Sequence, residues 1–475
     1  MKLKELLNIP KNEFSDIEIT GITSDSRKVK KGDAFVCING SLADGHKFAF
    51  TAAESGAAVI IAERDTGLKN QIIVPSTRIA FAQMSAAWFS HPEKDLKFIG
   101  VTGTNGKTSV TYMIKSALEA AGKKVGLVGT IHNMIADEEI PTSNTTPGAY
   151  ELNSLFNLMK KSGCEYVVME LSSHALDQSR VYGINFEVAV FTNLTQDHLD
   201  YHITMENYFN AKCKLFSMCK TAVINVDDDY GKRLEEICTC KKVTYSAISN
   251  SSTYSAKNIN YRPDGLSYNF VGYNLINEIK LLTGGRFSVY NSMAAASALL
   301  ELNIPLNIIA NSLAKMPGIK GRAEVVPTGK DFNVIIDYVH TPDGLLNILR
   351  TFKEFKNRRL VVLFGCGGDR DKTKRAVMGK IAAQYANYVI ITSDNPRSEE
   401  PLSIINDILV GLKGTKTPYK VIENRADAIK FAVENAQTND IIVLAGKGHE
   451  TYQILKDKTI HFDEREIVAE ALKQK

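Results

Sequence analysis

The hydrophobic positions along the chain fall into short runs, and the grammar of these runs changes twice. Up to about residue 93, DIEITGI, DAFVCI, AAVIIAE and QIIVP read as strands, and AFAQMSAAWFSHP reads as a helical stretch. Pro92 and the charged PEKDLK that it opens predict a linker. From about 94 to 320, the apolar runs FIGVTG, KVGLVGT, YVVMEL, VAVFTNL and TAVINVD alternate with helical patterns. One of these runs from Thr108 to Ala121, with Gly122 as its stop. Such alternation predicts a parallel sheet covered on both faces. Residues 250–290 instead alternate polar and apolar, as half-exposed antiparallel strands do. After the turn-rich MPGIKG, near GRAEVV, the strand–helix pattern resumes with NVIIDYVH, LVVLFGCGG, YVIITSDNP and DIIVLAGKG. These strands end in polar clusters, where open sheets bind ligands. The expected fold is α/β in three domains, 1–93, 94–320 and 321–475. The second carries a small antiparallel sheet and the third is Rossmann-like.

Length agrees, since 475 residues exceed what one core supports. The net charge of +4 is small and its basic residues are dispersed, which argues against a broad nucleic-acid surface. The cysteines are Cys37, Cys164, Cys213, Cys219, Cys238, Cys240 and Cys366. An odd number without a CxxC pair predicts reduced thiols rather than a disulfide framework or zinc site. MKLKELLNIPKNEF lacks the apolar core of a signal peptide, and no run approaches the ~18 residues that cross a bilayer. A cytoplasmic protein without membrane insertion is expected.

Residues 98–111, FIGVTGTNGKTSVT, run from a strand through a glycine-rich turn into a helix. Glycines let successive N–H groups point inward, and the helix N-terminus adds partial positive charge. Lys107 would reach terminal phosphates, and Thr108 or Ser109 could hold Mg²⁺. The loop is a shortened variant, with Val101 where the usual pattern begins on glycine. An ordinary glycine turn is the plainer reading, but the flanking strand and helix favour a nucleotide. Glu170, at the end of YVVMEL, stands where a metal ligand or water-organising group would be, or is simply a strand-end carboxylate. NLTQDHLDYH supplies His198, which could be a ligand to a second Mg²⁺ or simply a hydrogen-bonded loop histidine. Lys212 lies in a helical pattern returning towards the same place.

GTNGKTS, SNTTP, MELSSHALDQSR, NLTQDHLDYH, YNSMAAASA, GRAE, DYVHTPDGL, GCGGDRDKTKR, DNPR and GKGHE follow in one order. This ordered set, from residue 24 to residue 450, resembles the Mur ligases. Among them it is most similar to those that add the third amino acid to UDP-N-acetylmuramoyl-L-alanyl-D-glutamate. The resemblance implies an ATP- and Mg²⁺-dependent ligase of peptidoglycan precursor synthesis, acting as a monomer through an acyl phosphate. It implies that Gly103, Thr104, Asn105, Gly106, Lys107, Thr108 and Ser109 hold ATP, with Asn291, Arg322, Asp337 and His340 at its adenine, ribose or phosphates. It makes Glu170 and His198 magnesium ligands. It also makes Lys212 a carbamylated lysine, N6-carboxylysine, whose anion could bridge to the metal; residue type alone favours a plain salt-bridged lysine. Asn144, Thr145, Thr146, Ser172, Gln178 and Arg180 match positions that hold the UDP-muramoyl dipeptide. Ser24, Ser26 and Ser41-Leu42-Ala43 match its uridine site in the first domain. The family often has a bulkier or more polar triplet at 41–43.

The acceptor is read from DNPR and its surroundings. Asp394 and Asn395 can hold an ammonium and a carboxylate, and Arg397, after Pro396, offers a planar fork for a second carboxylate. These suit meso-diaminopimelate, whereas the far ammonium of L-lysine would be repelled. The resemblance adds Arg370 for a diaminopimelate carboxylate, with Gly446 and Glu450 for its distal amine. DNPR is also an ordinary Asx–Pro turn and GKGHE a glycine-rich loop; binding loops are turns as well. Rival readings are a lysine-adding or folylpolyglutamate-synthetase-like ligase, a regulatory protein that has lost catalysis, and a P-loop motor or kinase. Lys107, Glu170, His198 and Lys212, all present, speak against lost catalysis.

Overall fold

The computed structural model describes residues 1–8, 13–40, 43–142, 144–262, 265–353 and 358–474. Three sheets follow one another along the chain. The first is wholly parallel, in the order β1 (Ile22–Thr23), β2 (Ala34–Val36), β3 (Val59–Ala62), β4 (Gln71–Ile73). Of the DIEITGI run only Ile22 joins it, together with Thr23, which follows the run. The rest of that run pairs with the N-terminal segment, where Leu3 N–H donates to Ile17 O and Ile19 N–H to Met1 O. The linker at Pro92 forms a single 3₁₀ turn, Pro92–Lys94, with proline in its first position.

The central sheet has strands β5 (Lys97–Thr102), β6 (Val125–Val128), β7 (Asn133–Ile135), β8 (Glu138–Ile140), β9 (Tyr166–Glu170), β10 (Phe186–Phe191), β11 (Cys219–Asn225) and β12 (Lys241–Ser246). It continues with β13 (Tyr254–Arg262), β14 (Gly265–Gly272) and β15 (Leu275–Leu281). The spatial order is β15-β14-β13-β12-β11-β10-β5-β9-β6-β7-β8. The strands from β12 to β6 pair in parallel, while β14 pairs antiparallel with both β13 and β15, as the alternation at 250–290 predicts. Side chains of β5 divide between two cores because successive residues face opposite ways. Ile99 and Val101 pack under the helix Lys107–Ala120, with its Val110, Ile114, Ala117 and Leu118. Phe98 faces Phe156 and Phe186 on the other side. Between them Gly100 leaves room for the Phe186 ring; a Cβ there would stand 3.0 Å from it and 2.7 Å from Leu171 Cδ1. Gly122, at φ +78°, follows the helix as its expected stop.

The third sheet comprises β16 (Glu324–Val326), β17 (Asn333–Asp337), β18 (Leu360–Phe364), β19 (Tyr388–Ile391), β20 (Tyr419–Val421) and β21 (Ile441–Ala445), ordered β16-β17-β21-β18-β19-β20. All its pairs are parallel except the edge strand β16. A hairpin of β22 (Tyr452–Ile454) and β23 (Thr459–His461) follows. The helix Ala149–Lys161 joins the first domain to the second, with Tyr150 edge-on to Phe89 at 5.1 Å. The third domain meets the second through polar contacts: Asn105 Nδ2 to Asp343 Oδ2 at 3.1 Å and Gln196 Nε2 to Thr373 Oγ1 at 3.0 Å. All seven cysteines are free thiols, and parallel pairing of β11 with β12 brings Cys219 and Cys240 to 3.5 Å. No helix among the described residues is long and apolar enough to cross a membrane.

Candidate active site

The loop after β5 is curled by Gly103 and Gly106, at φ +148° and +88°. A Cβ at Gly103 would collide with Thr192 Oγ1, so only glycine lets the turn lie against the end of β10. The polar residues that follow β10 hold it there. Thr104 N–H donates to Asn193 O and Asn105 N–H to Asn193 Oδ1, both at 2.9 Å, and Thr192 Oγ1 donates to Asn105 O at 2.6 Å. No side chain caps the N-terminus of the helix Lys107–Ala120. Its first N–H groups are thus left for an anion, favoured further by the helix dipole. Lys107 folds back over the loop and donates to Gly103 O at 2.9 Å and Thr104 O at 2.8 Å.

Glu170, fully buried at the end of β9, faces this loop. Its carboxylate accepts from Thr108 Oγ1 at 3.0 Å, Thr130 N–H at 2.9 Å and Thr130 Oγ1 at 2.9 Å. All three donors are neutral. Thr146 Oγ1 donates to Glu170 O at 2.8 Å and accepts Ser172 N–H at 3.0 Å. Ser172 caps the short helix Ser173–Asp177. Arg180 donates to Thr146 O at 2.6 Å and, with Nη2, to Gln178 Oε1 at 2.8 Å. Thr145 joins through Thr130 Oγ1 at 3.0 Å. The structure therefore gathers Thr145, Thr146, Ser172, Gln178 and Arg180 around one strand end.

Lys212 comes from the helix Met205–Cys213 and is 1% exposed. It donates to Gly103 O at 2.9 Å and sits 4.6 Å over the Tyr208 ring. Burial, then the neighbouring charge of Lys107, pushes its ammonium well below the usual lysine range. Burial also lowers Lys107, with Glu170 and Asp197 opposing. His198, at φ +54°, lies 3.4 Å from Asp197, and desolvation holds its imidazole below the ordinary value, hence neutral. Asn291 approaches the loop closely enough that a Cβ at Gly106 would collide with its Oδ1.

From the third domain, Arg322 donates to Thr108 Oγ1 at 2.8 Å. Asp337, at the end of β17, accepts from Ala323 N–H and from Val339 N–H at 2.8 Å; burial pushes its carboxyl up to about 6. His340 stands 3.8 Å from Asp197.

Past the ends of β18, β19 and β21 lie the remaining candidates. Arg397 donates to Gly368 O at 2.7 Å, and its guanidinium is lowered by burial and next by the charge of Arg370, so two cationic forks share one neighbourhood. Asn395 Nδ2 donates to Glu450 Oε2 at 2.9 Å. Asp394 Oδ1 accepts Asn395 N–H at 2.7 Å, and Pro396 O lies where a Cβ on Gly368 would collide with it. Gly446, at φ +124°, leaves space for Asp394 Oδ2. Sequence reading missed the buried cations beneath these loops. Lys447 pairs with Glu450, and Arg425 pairs with Glu464 while donating to Ala445 O at 2.9 Å. A lysine within GKGHE was visible, but nothing local announces that it is buried.

A cavity of 1370 Å³ connects these parts. Residues 104–109, Asn144, Thr145, Thr146, Glu170, Ser172, Arg180, His198, Lys212 and Asn291 line it, with Arg322, Asp337, His340, Arg370 and Glu450 from the third domain. Gln178, Asp394, Asn395, Pro396, Arg397 and Gly446 are not among the residues that line it. Ser24, Ser26 and Ala43 belong to the first domain and do not line the cavity, and Ser41 and Leu42 lie outside the described residues.

Family models match in succession: "Mur ligase family, catalytic domain" over residues 18–91, "Mur ligase middle domain" over 101–299, and "Mur ligase, glutamate ligase domain" over 321–448. A Clostridium botulinum protein named UDP-N-acetylmuramoyl-L-alanyl-D-glutamate--2,6-diaminopimelate ligase is 48% identical over 465 residues, 96% of each chain. A protein of the same name from Caldanaerobacter subterraneus subsp. tengcongensis is 47% identical, covering 99% of each. A solved structure of a ligase with this name superposes with a TM-score of 0.72 at 33% identity, covering 100% of this chain and 99% of the other. With its three domains matched in order and its relatives aligned end to end, the chain belongs to the Mur ligase family.

Proposed function

We propose that this protein is an ATP-dependent amide ligase that joins meso-diaminopimelate to UDP-N-acetylmuramoyl-L-alanyl-D-glutamate, in cytoplasmic peptidoglycan precursor synthesis. The observation that carries this reading is the single cavity: phosphate loop, Glu170 and Lys212 on one wall, Arg370 and Glu450 on the other. A phosphorylated carboxylate and an incoming amine can meet there. The full-length relatives named for this reaction support it, and favour it over a lysine-adding or folylpolyglutamate-type ligase. Division near residues 93 and 320, and action as a monomer, belong to the same reading.

In this reading, the uncapped helix N-terminus and residues Gly103 to Ser109 bind the ATP phosphates. Asn291, Arg322, Asp337 and His340 contact the rest of the nucleotide. Thr145, Thr146, Ser172, Gln178 and Arg180, with Asn144, hold the dipeptide so that its terminal carboxylate faces the γ-phosphate, while Ser24, Ser26 and Ala43 receive uridine. The carboxylate oxygen attacks phosphorus and ADP leaves; the amine then attacks the acyl carbon and phosphate leaves. Lys107 stabilises the charge that gathers during transfer.

The residues present fit Mg²⁺. No group of three or more His, Cys, Asp or Glu among the described residues forms a metal cage, but Mg²⁺ takes one or two carboxylates plus substrate phosphates. Among the described residues Glu170 is buried with neutral donors only, and desolvation holds His198 neutral. Glu170, His198, Thr108, Ser109 and a carbamate on Lys212 would hold it, and the ion would neutralise phosphate charge. The lowered Lys212 can present a free amine, which adds CO₂ to give a carbamate and one proton.

The test is ADP release from purified enzyme with ATP and the UDP-muramoyl dipeptide, offering diaminopimelate, lysine or glutamate. Diaminopimelate should support turnover far better than the others; equal or better use of lysine would overturn the acceptor assignment.

A further inference from the structure

Lys447 is completely buried between the two loops that carry the acceptor candidates. Its Nζ donates to Asn395 Oδ1 at 2.9 Å and to Glu450 Oε2 at 2.6 Å. Asn395 Nδ2 donates to the same Glu450 oxygen at 2.9 Å, closing a triangle. Asn395 Oδ1 also accepts Ile454 N–H at 2.9 Å. Two donors that cannot become acceptors, an ammonium and a backbone N–H, therefore meet one end of the amide. That end must be oxygen. Turning the amide over would set its NH₂ against both donors and its oxygen against a carboxylate, which leaves several buried groups unsatisfied.

The same contacts divide the oxygens of Glu450. Oε2 carries both Lys447 and Asn395, whereas among the described residues Oε1 meets only the long hydrogen bond from Tyr338 OH, at 3.5 Å. Glu450 lines the cavity, so Oε1 is the oxygen left for a ligand. A neutral residue at 447 could neither hold the amide this way nor balance a carboxylate buried to this extent.

We propose that Lys447 is a positioning residue that sets the polarity of the acceptor site. It holds Asn395 as a donor, suited to a substrate carboxylate, and Glu450 as a fixed carboxylate with one oxygen open to a substrate ammonium. The site then takes a zwitterionic end in one orientation. This rests on the reading that these loops bind diaminopimelate.

Steady-state kinetics of Lys447→Met and Lys447→Arg test it, with diaminopimelate varied at saturating ATP and UDP-muramoyl dipeptide. Lys447→Met should raise KM for diaminopimelate about tenfold, the loss expected of one charged hydrogen bond. KM for ATP and for the dipeptide should stay within about twofold, kcat should fall less than KM rises, and Lys447→Arg should recover part of the loss. An unchanged KM for diaminopimelate, or equal losses for all three substrates, overturns the proposal. If Lys447→Met does not fold, Asn395→Asp carries the test, since it keeps an oxygen for Lys447 but removes the amide N–H. An unchanged KM for diaminopimelate in that variant overturns the proposal equally. Wild-type enzyme that releases no ADP with diaminopimelate would instead overturn the assigned function, so the two failures are distinct.

Discussion

Lys107 and Lys212 donate to the same atom: each side-chain nitrogen stands 2.9 Å from the carbonyl oxygen of Gly103. Two ammonium groups on one acceptor repel each other, and the conflict eases when one of them is neutral. Lys212 is the more depressed of the two, and a neutral amine is the form that takes up CO₂. Lys212→Ala is therefore expected to be nearly inactive and to regain activity when formate or acetate supplies the missing anion. Wild-type enzyme equilibrated with ¹³C-bicarbonate should show a carbamate carbon resonance that the variant lacks. No such resonance, together with no rescue, would refute the carbamate.

In the proposed reading Lys107 acts on the phosphates themselves. Lys107→Met should lower kcat for ADP release by about 10²–10³, the range for loss of one donor to developing charge. Thermal stability should change little, because among the described residues the replaced ammonium bonds only to carbonyls of its own loop. Near-normal turnover would remove this loop from the reaction.

Arg397 and Arg370 bring two guanidinium groups close enough for the charge of one to depress the other, an arrangement that favours an anion between or beside them. Arg397→Ala should raise KM for diaminopimelate by an amount corresponding to about 2–5 kcal/mol, and narrow the preference over lysine. If the full preference survives, selection is made elsewhere.

His449 gives the protein a weakness to acid. Burial, with Arg322 adding to it, pushes its imidazole down to about 3, and its Nδ1 has no hydrogen-bond partner among the described residues. In the unfolded chain a histidine titrates near 6.5. Below that pH the unfolded state binds a proton that the folded state refuses. The stability is thus complete above pH 6.5 and drains away as pH falls towards 3. At pH 5 the loss from this group is about 1–2 kcal/mol. Urea unfolding at pH 7 and pH 5 should show a smaller drop for His449→Gln than for wild type. Equal drops would place the acid sensitivity in other groups.

Much of this architecture was legible from period and punctuation. β5, β9, β10 and β11 are built around the apolar stretches 98–101, 166–169, 188–191 and 222–224, and the glycine-rich loop announces itself through Gly103, Gly106 and Lys107. What escaped depends on contacts between distant parts of the chain. Thr130 binds Glu170 from 40 residues away, and Lys447 reaches back 52 residues to Asn395. Cys219 and Cys240 lie 21 residues apart along the chain, yet parallel strand pairing sets their sulfurs 3.5 Å apart. Residue chemistry supplied Arg397 and the resemblance Arg370, but neither gave the buried Arg425–Glu464 pair, whose arginine donates to Ala445 O at the end of β21. A single residue type carries no sign of whether it will be buried.

The acceptor candidates occupy strand ends of the third sheet, while the phosphate loop, Glu170 and Lys212 belong to the second. The two halves meet through a few polar contacts such as Asn105–Asp343, Gln196–Thr373 and Arg322–Thr108. On the proposed reading, the groups that handle the transferred phosphate and those that choose the building block are therefore inherited on separate stretches of polypeptide, with Arg322, Asp337 and His340 the third domain's share of the nucleotide site. A lineage can revise what it incorporates by rewriting the loops around Arg397 and Glu450 while the ATP-using half stays untouched. By the same division, graft of residues 321–475 onto a sister ligase should carry the acceptor preference with it, provided those few contacts are kept.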